Sequence, residues 1–255
     1  MQAPRLTPAL RRQLVAPVKA IVFDKDGTLT ELNSRWVTFF RSIIAATAAD
    51  GGDPEAEHTL ADCLGVGVDH IVPGSPAAVK TESELMTIAL DHLVGRGWTA
   101  EQAITSMGVG LEAATFGPLA PLGAVAPTIE TLAARHLLGV ATSDNRANTL
   151  DELNRLGVGH HVSALRCGDD GGPVKPDPEV LLGLAREWRV EPAQLLFVGD
   201  SEQDRDTARA AGTRFIAVVP EPRGVDPAQQ APAAIGADAW ITSIEDLACI
   251  EDLAG

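Results

Sequence analysis

The chain has 255 residues, 45% of them hydrophobic, with 35 acidic against 20 basic side chains and a net charge of −15 at pH 7. That length buries a full core and suits one domain carrying an insert, while the negative field argues against partners gripped through a phosphate backbone, nucleic acid and anionic membrane alike. Three cysteines, Cys63, Cys167 and Cys249, without CxxC spacing, argue against a disulfide framework or a thiolate zinc site and point to a reducing cytoplasm.

In chain order, residues 1–20 show no apolar segment of the signal type, and no later run approaches 18 apolar residues. The expectation is a cytoplasmic, unexported protein. The run AIVF (20–23) reads as a buried strand, and GVAT (139–142), LLFVG (195–199), FIAVV (215–219) and AWIT (239–242) read the same way. Between the first two runs, residues 31–118 carry helical periodicity and no strand signal. Thr81 with Glu84 and Thr99 with Gln102 have capping-box spacing, which predicts helix starts near 82 and 100. The Pro- and Gly-rich stretch GPLAPLGAVAP (117–127) reads as a hinge and 220–237 as a long loop. The pattern predicts an α/β fold: a doubly wound, Rossmann-like parallel sheet core formed by 1–30 and 119–255, with an inserted α-helical cap over 31–118. Ligands of such sheets lie at the carboxyl ends of the strands.

Candidate chemistry gathers at those ends. In FDKDGT, Asp24 and Asp26 follow a strand at a spacing of two, which in extended geometry sends both carboxylates to one side. One of such a pair can work ionised while the other trades a proton. In GVATSDN, Thr142 ends a strand and Ser143, Asp144 and Asn145 precede a helix; hydroxyl and backbone donors there suit phosphate, and the same residues equally suit a helix cap. In GGPVKPDP, Lys175 stands before a helix whose start is marked by Asp177 as N-cap and Pro178 at the first position. In LLFVGDSEQD, Asp200 follows a strand and Asp204 lies near a helix start; oxygen ligands at a strand end suit Mg²⁺. Asp206 reads as a helical first-turn acid. The adjacent His160 and His161 have no third ligand spaced for a metal, and the Phe39, Phe40, Ile43, Ile44 cluster reads as helix core.

In fixed order, FDKDGT, the Thr142 strand end, Lys175 before proline and GDSEQD resemble the four motifs of the haloacid dehalogenase-like superfamily, over roughly residues 18–255. The insert position resembles the helical-cap members, among them phosphoglycolate phosphatases, β-phosphoglucomutases and phosphonatases. The resemblance implies a phosphatase with Asp24 as nucleophile forming an aspartyl-phosphate and Asp26 as acid and base. It implies Mg²⁺ held by Asp24, Asp26 through its carbonyl, and Asp200, with Asp204 supporting, and phosphoryl oxygens held by Thr142, Ser143 and Lys175. Asp26 speaks against the dehalogenase branch, which keeps no acid there. Lys25 replaces the apolar residue common at that place in capped members, and its side chain is expected to point away from Asp24 and Asp26.

In capped members the cap sets specificity, and the candidates here are Asn33, Arg35 and Trp36. Residues 31–118 hold four basic residues, Arg35, Arg41, Lys80 and Arg96, against twelve acidic ones, so a small phosphorylated metabolite with one carboxylate or several hydroxyls fits better than a polyanion. A sugar-phosphate mutase needs the same core; a phosphoacceptor signalling domain lacks a helical insert and the second aspartate; an inactive binding protein has no use for the intact set. The sequence carries no signature of an oligomeric state.

Overall fold

The computed structural model describes residues 4–7, 10, 14, 18–219 and 236–248. They form, in chain order, β1 (Ala20–Phe23), α1 (Leu32–Asp50), α2 (Pro54–Leu64), α3 (Pro76–Val79), α4 (Glu82–Gly95), α5 (Ala100–Glu112), α6 (Val125–Ala133), β2 (Leu137–Ala141), α7 (Arg146–Arg155), β3 (Val162–Arg166), α8 (Glu179–Trp188), β4 (Leu195–Gly199), α9 (Glu202–Ala211), β5 (Arg214–Val218), β6 (Ala239–Ile241) and α10 (Glu245–Ala248). None of the described helices is long and apolar enough to cross a membrane. Most of the predicted 220–237 loop, and Cys249, lie outside the described residues.

The chain divides into two compact units, Met1–Thr30 with Pro121–Gly255, and Glu31–Ala120. In the first, six strands pair in parallel in the order β3-β2-β1-β4-β5-β6, so the doubly wound α/β expectation holds. Strand alternation serves two cores at once. Ile21, Phe23, Val140 and Val198 face one cluster with α6. Ala20, Val22, Leu195 and Phe197 face the other, with Leu181 and Leu184 of α8 and Ala208 of α9. β1 lies between β2 and β4, and the order runs outward from it in both directions, which opens the crevice where such sheets bind ligands.

The predicted strands exist, AIVF and LLFVG with the expected bounds and the others with ends shifted by a residue or two: GVAT begins earlier, at Leu137, and leaves Thr142 just past the strand. The sequence reading missed β3. Its VSALR lies at the sheet edge with only Ala164 buried, and Ser163 and Arg166 interrupt it, so it lacks the apolar run of a central strand. The 117–127 stretch is not loop throughout. Val125, Ala126 and Pro127 form the first turn of α6, where a proline's missing N–H costs nothing.

The second unit is helical. Thr81 and Glu84 complete the capping box of α4, and Thr99 caps α5. Asp53 ties three segments together: it caps α2 through Ala56 N, accepts the Arg96 guanidinium at 2.9–3.3 Å and accepts Trp98 Nε1 at 3.2 Å. Leu93, Leu60 and Ile44 form its core.

Because Leu181 is fully buried between sheet and helix, Leu181→Ala is expected to cost about 2–5 kcal/mol, and Thr81→Ala about 1 kcal/mol. Urea unfolding measures both; equal, small losses would contradict this packing.

Candidate active site

Asp24 sits one step beyond β1, with its N–H still donating to Val198 O of β4 (2.8 Å), so its side chain lies at the carboxyl edge of the central strands. Gly27 then turns the chain at φ +90°, and the N–H groups of Thr28, Leu29 and Thr30 converge on Lys25 O at 3.3, 2.8 and 3.0 Å. A Cβ on Gly27 would fall 2.2 Å from Asp200 Oδ2, so the loop packs on that carboxylate as only glycine allows. Asp200 follows β4. Asp204 lies in the first turn of α9, in a reciprocal cap with Ser201.

Lys175 binds this group together. Its Nζ donates to Asp24 Oδ1 (2.6 Å) and Asp204 Oδ1 (2.7 Å), all three side chains being buried. The other oxygen of Asp204 accepts from Ser201 N (3.1 Å) and Ser201 Oγ (2.6 Å), so protein donors occupy both its oxygens. The helix that Lys175 precedes starts one residue later than expected: α8 begins at Glu179 with Pro178 as N-cap, and the Asp177 carboxylate still accepts from Glu179 N (2.9 Å).

Gln203, which sequence reasoning passed over inside GDSEQD, joins three of the motifs. It donates to Lys175 O (2.7 Å) and accepts from Ser143 Oγ (3.5 Å). Thr142 is buried, and its Oγ1 accepts from Asp144 N (3.1 Å). Asn145 caps α7 through Asn148 N, the alternative role considered for this segment.

One expectation is overturned. The Lys25 side chain does not point away from Asp26: its fully buried ammonium sits 2.7 Å from Asp26 Oδ2, 3.2 Å from Asp144 Oδ2 and 2.6 Å from Glu152 Oε2. The alternation rule behind the expectation applies to extended backbone, and the chain leaves the strand before Lys25. Glu152, in the middle of α7, had no sequence signal, since a buried glutamate there reads like any surface one.

Asp24, Asp200 and Asp204 each place a carboxylate oxygen within 4.8 Å of the others. Burial pushes the Asp24 carboxyl up to about 7; Lys175 opposes the shift and Asp204 adds to it. Burial, then Asp24 and Asp204, hold Asp200 well above the carboxylate range. Burial would lower the Lys175 ammonium, but Asp204 and Asp24 outweigh it and raise the group. Asp144 is pushed up to about 6, mainly by burial, against the pull of Lys25. Among the described residues no side chain donates to Asp200, and only Lys175 donates to the Asp24 carboxylate. A crowded, under-donated pair of carboxylates, Asp24 buried and Asp200 half-buried, is the donor set a hard divalent cation fits.

In the helical unit, Asn33 Oδ1 accepts from Ile71 N (2.8 Å). Arg35 is buried with its guanidinium 4.0 Å over the Phe116 ring, and Trp36 packs against Phe39, Phe40 and Phe116. The remaining cations there pair locally: Arg41 with Glu57, Lys80 with Glu84 and Arg96 with Asp53.

The family model for haloacid dehalogenase-like hydrolases matches residues 18–212, a span that holds all four motifs. The chain belongs to this family. It is 32% identical over 237 residues to a plasmid-borne phosphoglycolate phosphatase of Cupriavidus necator, covering 91% of this chain and 92% of that protein. It is 25% identical over 202 residues to an N-acetylmuramic acid 6-phosphate phosphatase of Pseudomonas aeruginosa, covering 79% and 81%. A solved structure from Haemophilus somnus, described as a predicted phosphoglycolate phosphatase, shares the hydrolase fold at TM-score 0.65 and 21% identity, covering 92% of this chain and 98% of that one.

The raised carboxyls set a pH dependence. A carboxyl whose folded pKa exceeds its unfolded value binds more protons in the native state, so stability is present at low pH and is lost as pH rises through that value. In chelator, the melting temperature is expected to fall between pH 5 and 8 as Asp24 ionises. Added Mg²⁺ should raise it at pH 8, and little at pH 5, because ligands bind a metal only when deprotonated. Thermal melts check this; no response to Mg²⁺ at either pH would contradict a metal site here.

Proposed function

We propose that this hydrolase is a Mg²⁺-dependent phosphatase of small phosphomonoesters, working through an aspartyl-phosphate on Asp24. The observation that carries the reading is the Lys175 bridge. It holds Asp24 Oδ1 in a fixed position at the strand end, and leaves Oδ2 without a donor among the described residues. A carboxylate so held can attack phosphorus, forming the Asp24 O–P bond as the ester P–O bond breaks, and the leaving oxygen takes a proton from Asp26. In the second step Asp26 takes a proton from water, whose oxygen attacks the same phosphorus; the Asp24 O–P bond breaks and inorganic phosphate leaves.

Asp24, Asp200 and the Asp26 carbonyl would hold Mg²⁺, with Asp204 behind them fixing Lys175; the ion would screen repulsion between carboxylate and phosphate. Lys175, with Thr142 and Ser143 at the neighbouring strand end, would hold phosphoryl oxygens. The helical unit over 31–118 would act as the cap that excludes water and selects the substrate. Each of its four cations already has a partner within that unit, which supports a substrate whose remainder is small and rich in hydroxyls, such as a sugar phosphate, or carries at most one carboxylate, as phosphoglycolate does. The names of the curated relatives support both kinds, as cytoplasmic metabolites.

A panel of phosphoglycolate, hexose phosphates and an amino-sugar phosphate, assayed for released phosphate in Mg²⁺, tests this. Asp24→Asn is expected to lower kcat by roughly 10³-fold or more, and Asp26→Asn by roughly 10²-fold or more. Chelator should abolish release. Conversion of a sugar phosphate to its isomer without phosphate release would favour a mutase instead.

A further inference from the structure

Lys25 is buried to 0% exposure, among the largest fully buried side chains of the molecule, yet it is an ammonium. Its Nζ meets three carboxylates from three places in the fold: Asp26 in its own turn, Asp144 beyond β2 and Glu152 on α7. Its carbonyl is the hub of the same turn, accepting Thr28, Leu29 and Thr30 N–H and, at 3.3 Å, the Thr30 hydroxyl. The residue between the two motif aspartates is thus fixed at both ends. Stability does not explain the arrangement. One cation against three carboxylates, Glu152 fully buried and Asp144 and Asp26 nearly so, is a costly cluster, and buried ion pairs replaced as a unit by apolar side chains often leave a protein as stable or more so.

The geometry explains more at Asp26. Lys25 occupies Oδ2, and Thr30 Oγ1 lies 3.3 Å from Oδ1, so both oxygens of this carboxylate are held from the protein side. An ammonium has three donors and no acceptor, so the oxygen facing it always accepts. The proton exchanged with substrate then sits on Oδ1, beside a hydroxyl that can donate or accept. We propose that Lys25, anchored by Glu152 and Asp144, is the positioning residue for Asp26, presenting Oδ1 to the leaving oxygen of the ester. The inference rests on the phosphatase reading above and assigns a residue to its proton-transfer step.

The test compares an alkyl monophosphate, whose alkoxide must be protonated to leave, with 4-nitrophenyl phosphate, whose phenolate leaves without a proton. Lys25→Met with Glu152→Leu removes the central ion pair as a unit, and Glu152→Gln, which keeps Lys25 but loosens its anchor, decides the matter should the double variant not fold. In whichever variant melts close to wild type, kcat/KM for the alkyl ester is expected to fall by roughly 30-fold or more, within the range acid–base catalysis supplies, and for the aryl ester by less than about 3-fold on the same grounds. A parallel fall for both esters, or none for either, would overturn the role of Lys25 while leaving the phosphatase reading intact. Wild-type protein that cleaves neither ester in an Asp24-dependent way would overturn that reading, and this role with it.

Discussion

Six carboxylates and two ammonium groups share the carboxyl edge of β1, β2 and β4, and the rest of the site is arranged around keeping those charges together out of water. Lys175 spans Asp24 and Asp204; Lys25 gathers Asp26, Asp144 and Glu152; Asp200 stands between Asp24 and the Gly27 turn. Burial alone would protonate such groups or expel them. The two lysines oppose this, and the carboxyls of Asp24, Asp144 and Asp200 are nonetheless pushed upward. Charge is thus crowded where a cation and a phosphoryl group would bind, the usual trade between stability and activity.

The fold makes this crowding possible because the charged residues come from several rigid elements. Strand ends fix Asp24 and Asp200, helix starts fix Asp204 and Asn145, and α7 supplies Glu152 from behind. The sheet order places β1 between β2 and β4, so the first, second and fourth motifs meet without long connections. Gly199 has a similar role to Gly27: a Cβ there would lie 2.6 Å from the Asp204 side chain. Close approach of backbone to carboxylate is what those two positions require.

Much of this was legible in the sequence because it rests on local rules. The buried strands read as apolar runs, the caps of α4 and α5 read as Thr with Glu or Gln three residues on, and the four motifs read as charged residues placed at strand ends. What escaped depended on tertiary contact. β3 is an edge strand whose Ser163 and Arg166 break the apolar pattern. Lys25 and Glu152 are 127 residues apart and pair only because α7 packs back against the first turn. Gln203 looked like filler between acids until its contacts to Lys175 and Ser143 were seen. The contact of the Arg35 guanidinium with the Phe116 face likewise had no local sequence signal.

The central claim, that Asp24 is the group that takes the phosphoryl, is tested most directly by rapid acid quench during turnover of the best panel ester, followed by peptide mass spectrometry. The expected result is a phosphoryl group on the peptide bearing Asp24, formed and consumed at rates compatible with kcat and absent from Asp24→Asn. Full-rate phosphate release with no phosphoryl group on Asp24 at any quench time, or one on a different side chain, would contradict it.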